Sequence, residues 1–201
     1  TDDKDISKVM PLGLVAIATV LKRGGYNPKI IDLRLSETPE SDLKKAMFEF
    51  DPDAVGIGLM TVESECAFKL AKDIKAINHN VPIIFGGPHC AHEPEFILHD
   101  PNVDLMVIGE AELTIVELVE ALKNKQELGT VKGIAYKQDG QYIKTAAREK
   151  ILDLNWLDQD YETLNVKDYF NFDCSHEYLP AFDSFMPLVT SRGCPFTCIY
   201  C

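Results

Sequence analysis

With 201 residues, 46% of them hydrophobic and 26% charged, the chain has a globular composition, with room for one large or two small domains and a sizeable core. Its net charge of −12 argues against a broad basic surface for nucleic acid. No run approaches the roughly 18 apolar residues of a membrane span, and residues 1–7 carry no apolar secretory core and no initiator Met, so a cytoplasmic protein cut at both ends is expected.

In chain order, residues 11–23 open on Pro11 and stop at Gly24 and Gly25, which predicts a well-buried helix. Residues 29–33 read as a short strand. A helix over 41–50 follows, with Ser41 as its N-cap. The alternation continues with a strand over 53–59, a helix over 63–78, a strand over 81–85, a helix over 94–99, a strand over 104–108 and a helix over 113–123. Short strands that are apolar on both faces and separated by helices predict a doubly wound parallel α/β sheet. Such a sheet normally opens on a strand, so its central first strand is expected upstream of Thr1. Beyond Gly129 the period changes. Residues 131–137 and 141–144 flank Asp139 and Gly140, a β-hairpin signal. Residues 145–183 read as a linker with short helical pieces, and 187–190 as a strand leading into the last cysteines.

Ligands on an open α/β sheet sit outside the carboxyl ends of the strands. The loops there supply Thr61 and Ser64, whose hydroxyls can donate to a nucleotide tail, then Gly86, Gly87, Pro88 and His89, then Gly109 and Glu110. Glycines let backbone approach a large flat ligand. A flavin mononucleotide is one alternative; a nicotinamide cofactor is not, because Gly56 and Gly58 lie inside a strand and lack the third glycine of that fingerprint. Glu110 and Glu112 are acid or base candidates, although charge at a helix N-terminus accounts for Glu112. Cys90 reads as a small buried cysteine. Trp156, Tyr161, Tyr169 and Phe170 read as packing between domains.

Six cysteines include Cys194, Cys198 and Cys201, spaced by gaps of three and two residues. Three such thiolates can hold three corners of a [4Fe–4S] cube and leave one iron open. Gly193 and Pro195 shape the turn. Structural zinc is the rival; it normally takes four ligands and would need to recruit Cys174 or His176. Oxygen-sensitive thiolates again suit a reducing compartment.

The stretch from Ser191 to Cys201 resembles the motif of radical S-adenosylmethionine enzymes. The resemblance implies that Cys194, Cys198 and Cys201 ligate the cluster, that the open iron binds S-adenosylmethionine, and that Tyr200 lies near the adenine. Residues 11–14, 53–57, 86–89, 109–112 and 133–136 resemble, in the same order, the cobalamin-binding domain that precedes the barrel in one branch of these enzymes. The implied organisation is a flavodoxin-like, Rossmann-like cobalamin domain over 1–126, a hairpin and linker over 127–183, and the start of a TIM-type radical barrel over 184–201. The family's Asp-x-His-x-x-Gly cobalt-ligating loop has no counterpart near residues 1–13. His89 and His92, on another loop, read as surface or supporting histidines rather than cobalt ligands.

The implied activity is reductive cleavage of S-adenosylmethionine to a 5′-deoxyadenosyl radical, serving methyl transfer to an unactivated carbon or a related radical cyclisation. The cofactors would be cobalamin, S-adenosylmethionine and the cluster. A small-molecule substrate and an electron donor such as flavodoxin or ferredoxin would be the partners. The alternatives are a cobalamin carrier or sensor module without chemistry, and a radical enzyme whose cobalamin domain is vestigial.

Overall fold

The computed structural model describes residues 9–92, 94–157, 159–169, 187–194 and 196–198. Five strands, β1 (Val55–Gly58), β2 (Ile83–Gly86), β3 (Leu105–Val107), β4 (Ile134–Gln138) and β5 (Gln141–Lys144), form one sheet in that spatial order. β1, β2 and β3 run parallel, with Val55 opposite Ile83 and Ile84 opposite Leu105. β4 pairs antiparallel to β3, with Met106 opposite Ala135, so the Asp139–Gly140 hairpin extends the parallel sheet.

The helices are α1 (Leu12–Arg23), α2 (Pro39–Phe50), α3 (Ser64–Ile77), α4 (Pro94–His99) and α5 (Glu112–Asn124). The period-2 alternation of the strands decides which helix covers which face. Ile57, Ile83, Phe85, Met106 and Ala135 point to a core shared with Leu43 of α2, Ile74 of α3 and Ile97 of α4. Ile84, Leu105, Val107 and Ile134 point the other way, to Val20 of α1 and Leu118 of α5. Phe85 is fully buried and its ring lies 5.5 Å from that of Phe68. Helices on both faces of a largely parallel sheet make the doubly wound α/β architecture expected from the sequence.

Three expected elements differ. Residues 29–33 form no strand: the chain is extended at Asp32 and then tightens into a 3-10 turn over Leu33–Leu35. Asp32 caps that turn, accepting from the Arg34 N–H at 3.1 Å and from its guanidinium at 2.7 Å. Right-handed crossovers put 29–32 beyond the outer side of β1, because α2 lies on the face of α3 while α1 lies on the opposite one. Among the described residues no strand occupies that side of β1, so the segment has no ladder to join. α2 begins at Pro39, with Thr38 rather than Ser41 in the N-cap position; Ser41 falls within its first turn. Residues 187–190 form no strand either, with Leu188 and Val189 exposed and no described neighbour to pair with.

Below the strands' amino ends sits a clamp that no sequence signal marked. Lys75, its side chain 10% exposed, reaches from α3 to the Val81 carbonyl at 2.9 Å and the Asp104 carboxylate at 2.8 Å. The same carboxylate oxygen accepts the Ile83 N–H at 2.7 Å. One side chain thus ties β2, β3 and α3. Asp104→Ala leaves a largely buried ammonium and a backbone donor short of a partner, and should cost about 2 kcal/mol in urea unfolding; a loss under about 0.5 kcal/mol would show the clamp to be ornamental.

The chain divides into two compact units, one spanning Gly13–Leu164 and a second that takes in the described parts of Thr1–Leu12 and Asn165–Cys201. The first therefore holds the hairpin and the leading part of the segment read as a linker. Residues 145–164 form a strap across α5 and α1. Arg148 donates to Thr114 at 2.7 Å and pairs with Glu117. Leu157 packs in the α1/α5 core. The Asp160 N–H donates to Thr19 at 2.8 Å, Lys22 pairs with Asp160 at 2.6 Å, and Arg23 donates to the Trp156 carbonyl. The hydrogen bond from Lys22 holds the Asp160 carboxyl below its ordinary value of 3.8. A depressed carboxylate contributes stability that is complete above that value and is lost as pH falls through the lower folded one. Trp156, the chain's one tryptophan, reports on the strap. Its emission should shift to the red below about pH 3.8, and Asp160→Asn should show part of that shift at neutral pH. Emission that stays constant until the helical signal itself collapses would contradict this.

Candidate functional site at the carboxyl edge of the sheet

β1 and β2 continue to grip one another past their ends. Leu59, 1% exposed, donates its N–H to the Gly86 carbonyl at 2.6 Å, and its own carbonyl accepts the His89 N–H at 3.3 Å. Gly87, at φ +116 and ψ 178, packs so closely that a Cβ there would lie 2.8 Å from the Leu59 oxygen and 3.0 Å from its nitrogen. Pro88 then starts a 3-10 turn over Pro88–Ala91, and its third residue, Cys90, is fully buried in the core. Burial pushes the Cys90 thiol up to about 12, so it plugs the core as an apolar group rather than a nucleophile.

Across this seam Thr61 Oγ1 lies 3.0 Å from His89 Nδ1. Thr61 opens a 3-10 turn, Thr61–Glu63, that leads directly into α3 at Ser64, whose N–H donates to the Thr61 carbonyl. Thr61, Ser64, Gly86, Gly87, Pro88 and His89 thus come from two adjoining loops on one edge, with Thr61 bonded directly to His89. Gly109, at φ +88, and Glu110 follow β3 on the same edge. The Glu110 carboxylate accepts the Ile151 N–H at 2.7 Å and so anchors the strap. Glu112 is buried at the first position of α5.

Beside the seam no described residue covers the sheet. Gly56 and Gly58 are exposed on the α1/α5 face, and a Cβ built on either, or on Gly86, meets nothing within 4 Å. Met60 is 48% and Val62 91% exposed at the rim. An uncovered backbone bed, apolar rim side chains, two hydroxyls and an imidazole suit a large, flat, mostly uncharged ligand carrying hydrogen-bonding arms. Cobalamin answers that description, and the residues present fit it.

Of the cluster candidates, Cys194 and Cys198 are free and exposed in the second unit, after Gly193 at φ +84. Tyr200 and Cys201 lie outside the described residues, as does Phe170 of the aromatic group. Trp156 and Tyr161 belong to the strap, where the Tyr161 hydroxyl donates to Gln159 at 2.6 Å; Tyr169 is buried in the second unit. Among the described residues no group of three or more His, Cys, Asp or Glu is placed to hold a metal ion. None of their helices is long and apolar enough to cross a membrane.

The chain is 36% identical over 193 residues to an uncharacterised methyltransferase of Pyrococcus horikoshii, which matches 95% of this chain and 40% of that protein. It is 28% identical over 194 residues to the anaerobic magnesium-protoporphyrin IX monomethyl ester cyclase of Synechocystis, matching 95% of this chain and 37% of the cyclase. The chain therefore spans two fifths or less of the length of these relatives. In fold it is similar to the radical S-adenosylmethionine methyltransferase TsrM of Kitasatospora setae, solved with cobalamin and a [4Fe-4S] cluster bound, with a TM-score of 0.63 at 17% identity over 72% of this chain and 27% of TsrM. It is likewise similar to the cobalamin-dependent S-adenosylmethionine radical enzyme OxsB with aqua-cobalamin bound, with a TM-score of 0.64 at 21% identity over 72% of this chain and 20% of OxsB. A family model described as the B12 binding domain matches residues 7–119, which run from just ahead of α1 into α5 and so contain every loop of the bare edge. Covering more than half of its length, that match shows that the chain belongs to the B12-binding domain family.

Proposed function

We propose that the chain is part of a radical S-adenosylmethionine enzyme of the methyltransferase or cyclase kind, laid out as a cobalamin domain over 1–126, a hairpin and linker over 127–183 and the start of the radical barrel over 184–201, with the cobalamin seat inside the compact unit Gly13–Leu164. The bare backbone bed at Gly56 and Gly58, inside the residues matched by the family, carries the reading. Cobalamin, when bound, supplies a metal centre that carries methyl groups. The chain's own residues do the seating: the glycine bed admits the ligand, Met60 and Val62 cover it, and Thr61, Ser64 and His89 offer hydrogen bonds. Cys194, Cys198 and Cys201 would ligate a [4Fe–4S] cluster, with Tyr200 beside S-adenosylmethionine. The partners would be a small-molecule substrate and a flavodoxin or ferredoxin, in a reducing cytoplasm.

A second reading is a cobalamin carrier module without chemistry, for which the matched residues 7–119 would suffice. Anaerobic reconstitution with iron and sulfide separates the two. The enzyme reading expects cluster absorption, a paramagnetic signal on reduction with dithionite, and reductive cleavage of S-adenosylmethionine to 5′-deoxyadenosine, all of which vanish in Cys198→Ala. Cobalamin binding in a protein that never takes up iron would leave the carrier module.

A further inference from the structure

The bond between Thr61 and His89 joins the two loops that frame the bed, and it fixes one imidazole at the rim. His89 is held three ways. Its backbone N–H donates to Leu59, and its ring nitrogen Nδ1 meets Thr61. The neighbouring Cys90 side chain is sunk in the core, so the short turn that bears His89 is pinned from below. A half-buried ring so constrained loses little freedom on meeting a ligand, which is the condition under which one hydrogen bond counts fully.

From this geometry we infer that Thr61 is a positioning residue that sets the tautomer of His89, so that the imidazole Nε2–H donates to an acceptor oxygen of bound cobalamin. The inference rests on the cobalamin reading above. Thr61 has a hydroxyl proton to give, and Nδ1 is an acceptor when the ring proton sits on Nε2. That arrangement makes Nε2 a donor aimed away from the Thr61 loop. A cobalt-ligating histidine needs the opposite, a bare Nε2 lone pair with Nδ1–H donating to a carbonyl or carboxylate. The Thr61 oxygen can equally accept from Nδ1–H, the tautomer a cobalt ligand would have, so the tautomer is the quantity that the test reads. The acceptor is a corrin amide carbonyl or an oxygen of the nucleotide tail.

The test titrates hydroxocobalamin into the wild-type protein and the Thr61→Val, Thr61→Ser and His89→Ala variants, all at pH 8. His89→Ala should weaken binding about tenfold, the worth of one good hydrogen bond, and Thr61→Val about threefold to fivefold, with Thr61→Ser restored to wild type. Nitrogen-15 spectra should show His89 as the Nε2–H tautomer in wild type and Thr61→Ser, and a mixture in Thr61→Val at an unchanged melting temperature; a merely structural threonine would not move that signal. Repeating the series with cobinamide, which lacks the nucleotide with its ribose and phosphate, locates the acceptor: a retained His89 effect assigns the corrin amides, a lost one the nucleotide tail. Equal affinities for all four proteins would overturn the inference while leaving the cobalamin reading intact. So would a nitrogen-hyperfine pattern, read after one-electron chemical reduction of the bound cofactor to cob(II)alamin, that disappears in His89→Ala, because His89 would then be a ligand. A folded wild-type protein that binds no cobalamin would overturn the reading on which the inference stands.

Discussion

Gly87→Ala should destabilise the protein by about 3 kcal/mol and abolish cobalamin binding. The backbone at φ +116 and ψ 178 is in a region open essentially to glycine. The added Cβ would also sit 2.8 Å from the Leu59 oxygen and 3.0 Å from its nitrogen. Neither atom can retreat cheaply. The nitrogen donates to Gly86 at 2.6 Å and the oxygen accepts from His89, so moving Leu59 opens the β1–β2 seam. Against a total stability of about 5–15 kcal/mol, that loss is readily measured in urea unfolding. The site goes with it, because Thr61 and His89 face one another only while the two loops stay zipped. An alanine variant within about 1 kcal/mol of wild type would mean that the seam yields more easily than its geometry implies.

Gly58→Leu should spare the fold, leaving stability within about 1 kcal/mol of wild type or slightly above it, because a glycine in a strand is itself a cost of that order. A Cβ at Gly58 meets nothing within 4 Å, and its backbone is in the ordinary range. The leucine side chain would fill the space over the sheet that the ligand needs, and cobalamin affinity should fall about a hundredfold. Parallel melting curves and cobalamin titrations check both halves. Unchanged affinity in a folded Gly58→Leu protein would place the ligand elsewhere. Gly58→Leu thus separates binding from stability, whereas Gly87→Ala loses the two together.

The alternation of short apolar strands with helices made the α/β sheet legible, since burial on both faces leaves its mark on every strand residue. Residues 29–33 misled because their pattern reports burial, whereas a strand also needs a neighbour's ladder, and none of the described residues provides one beside β1. That β4 and β5 would join the parallel sheet was not legible, because pairing partners distant in sequence leave no local signal. The site was legible as loops but not as contacts. Gly87 was expected to make room for a ligand; its missing side chain in fact serves Leu59, and it is Gly56 and Gly58, inside a strand, that lie bare. Glu110 stood out as an acid or base candidate, yet its carboxylate holds Ile151. The Thr61–His89 bond spans 28 residues and the Lys22–Asp160 pair 138, separations at which sequence spacing says nothing.

The most direct test of cobalamin seating on the bare edge is calorimetric titration of hydroxocobalamin into the folded protein, with Gly58→Leu as the paired control. Saturable one-to-one binding is expected, weakened about a hundredfold in the variant. A protein that unfolds cooperatively yet gives no binding heat and no change in the cobalamin spectrum would contradict it.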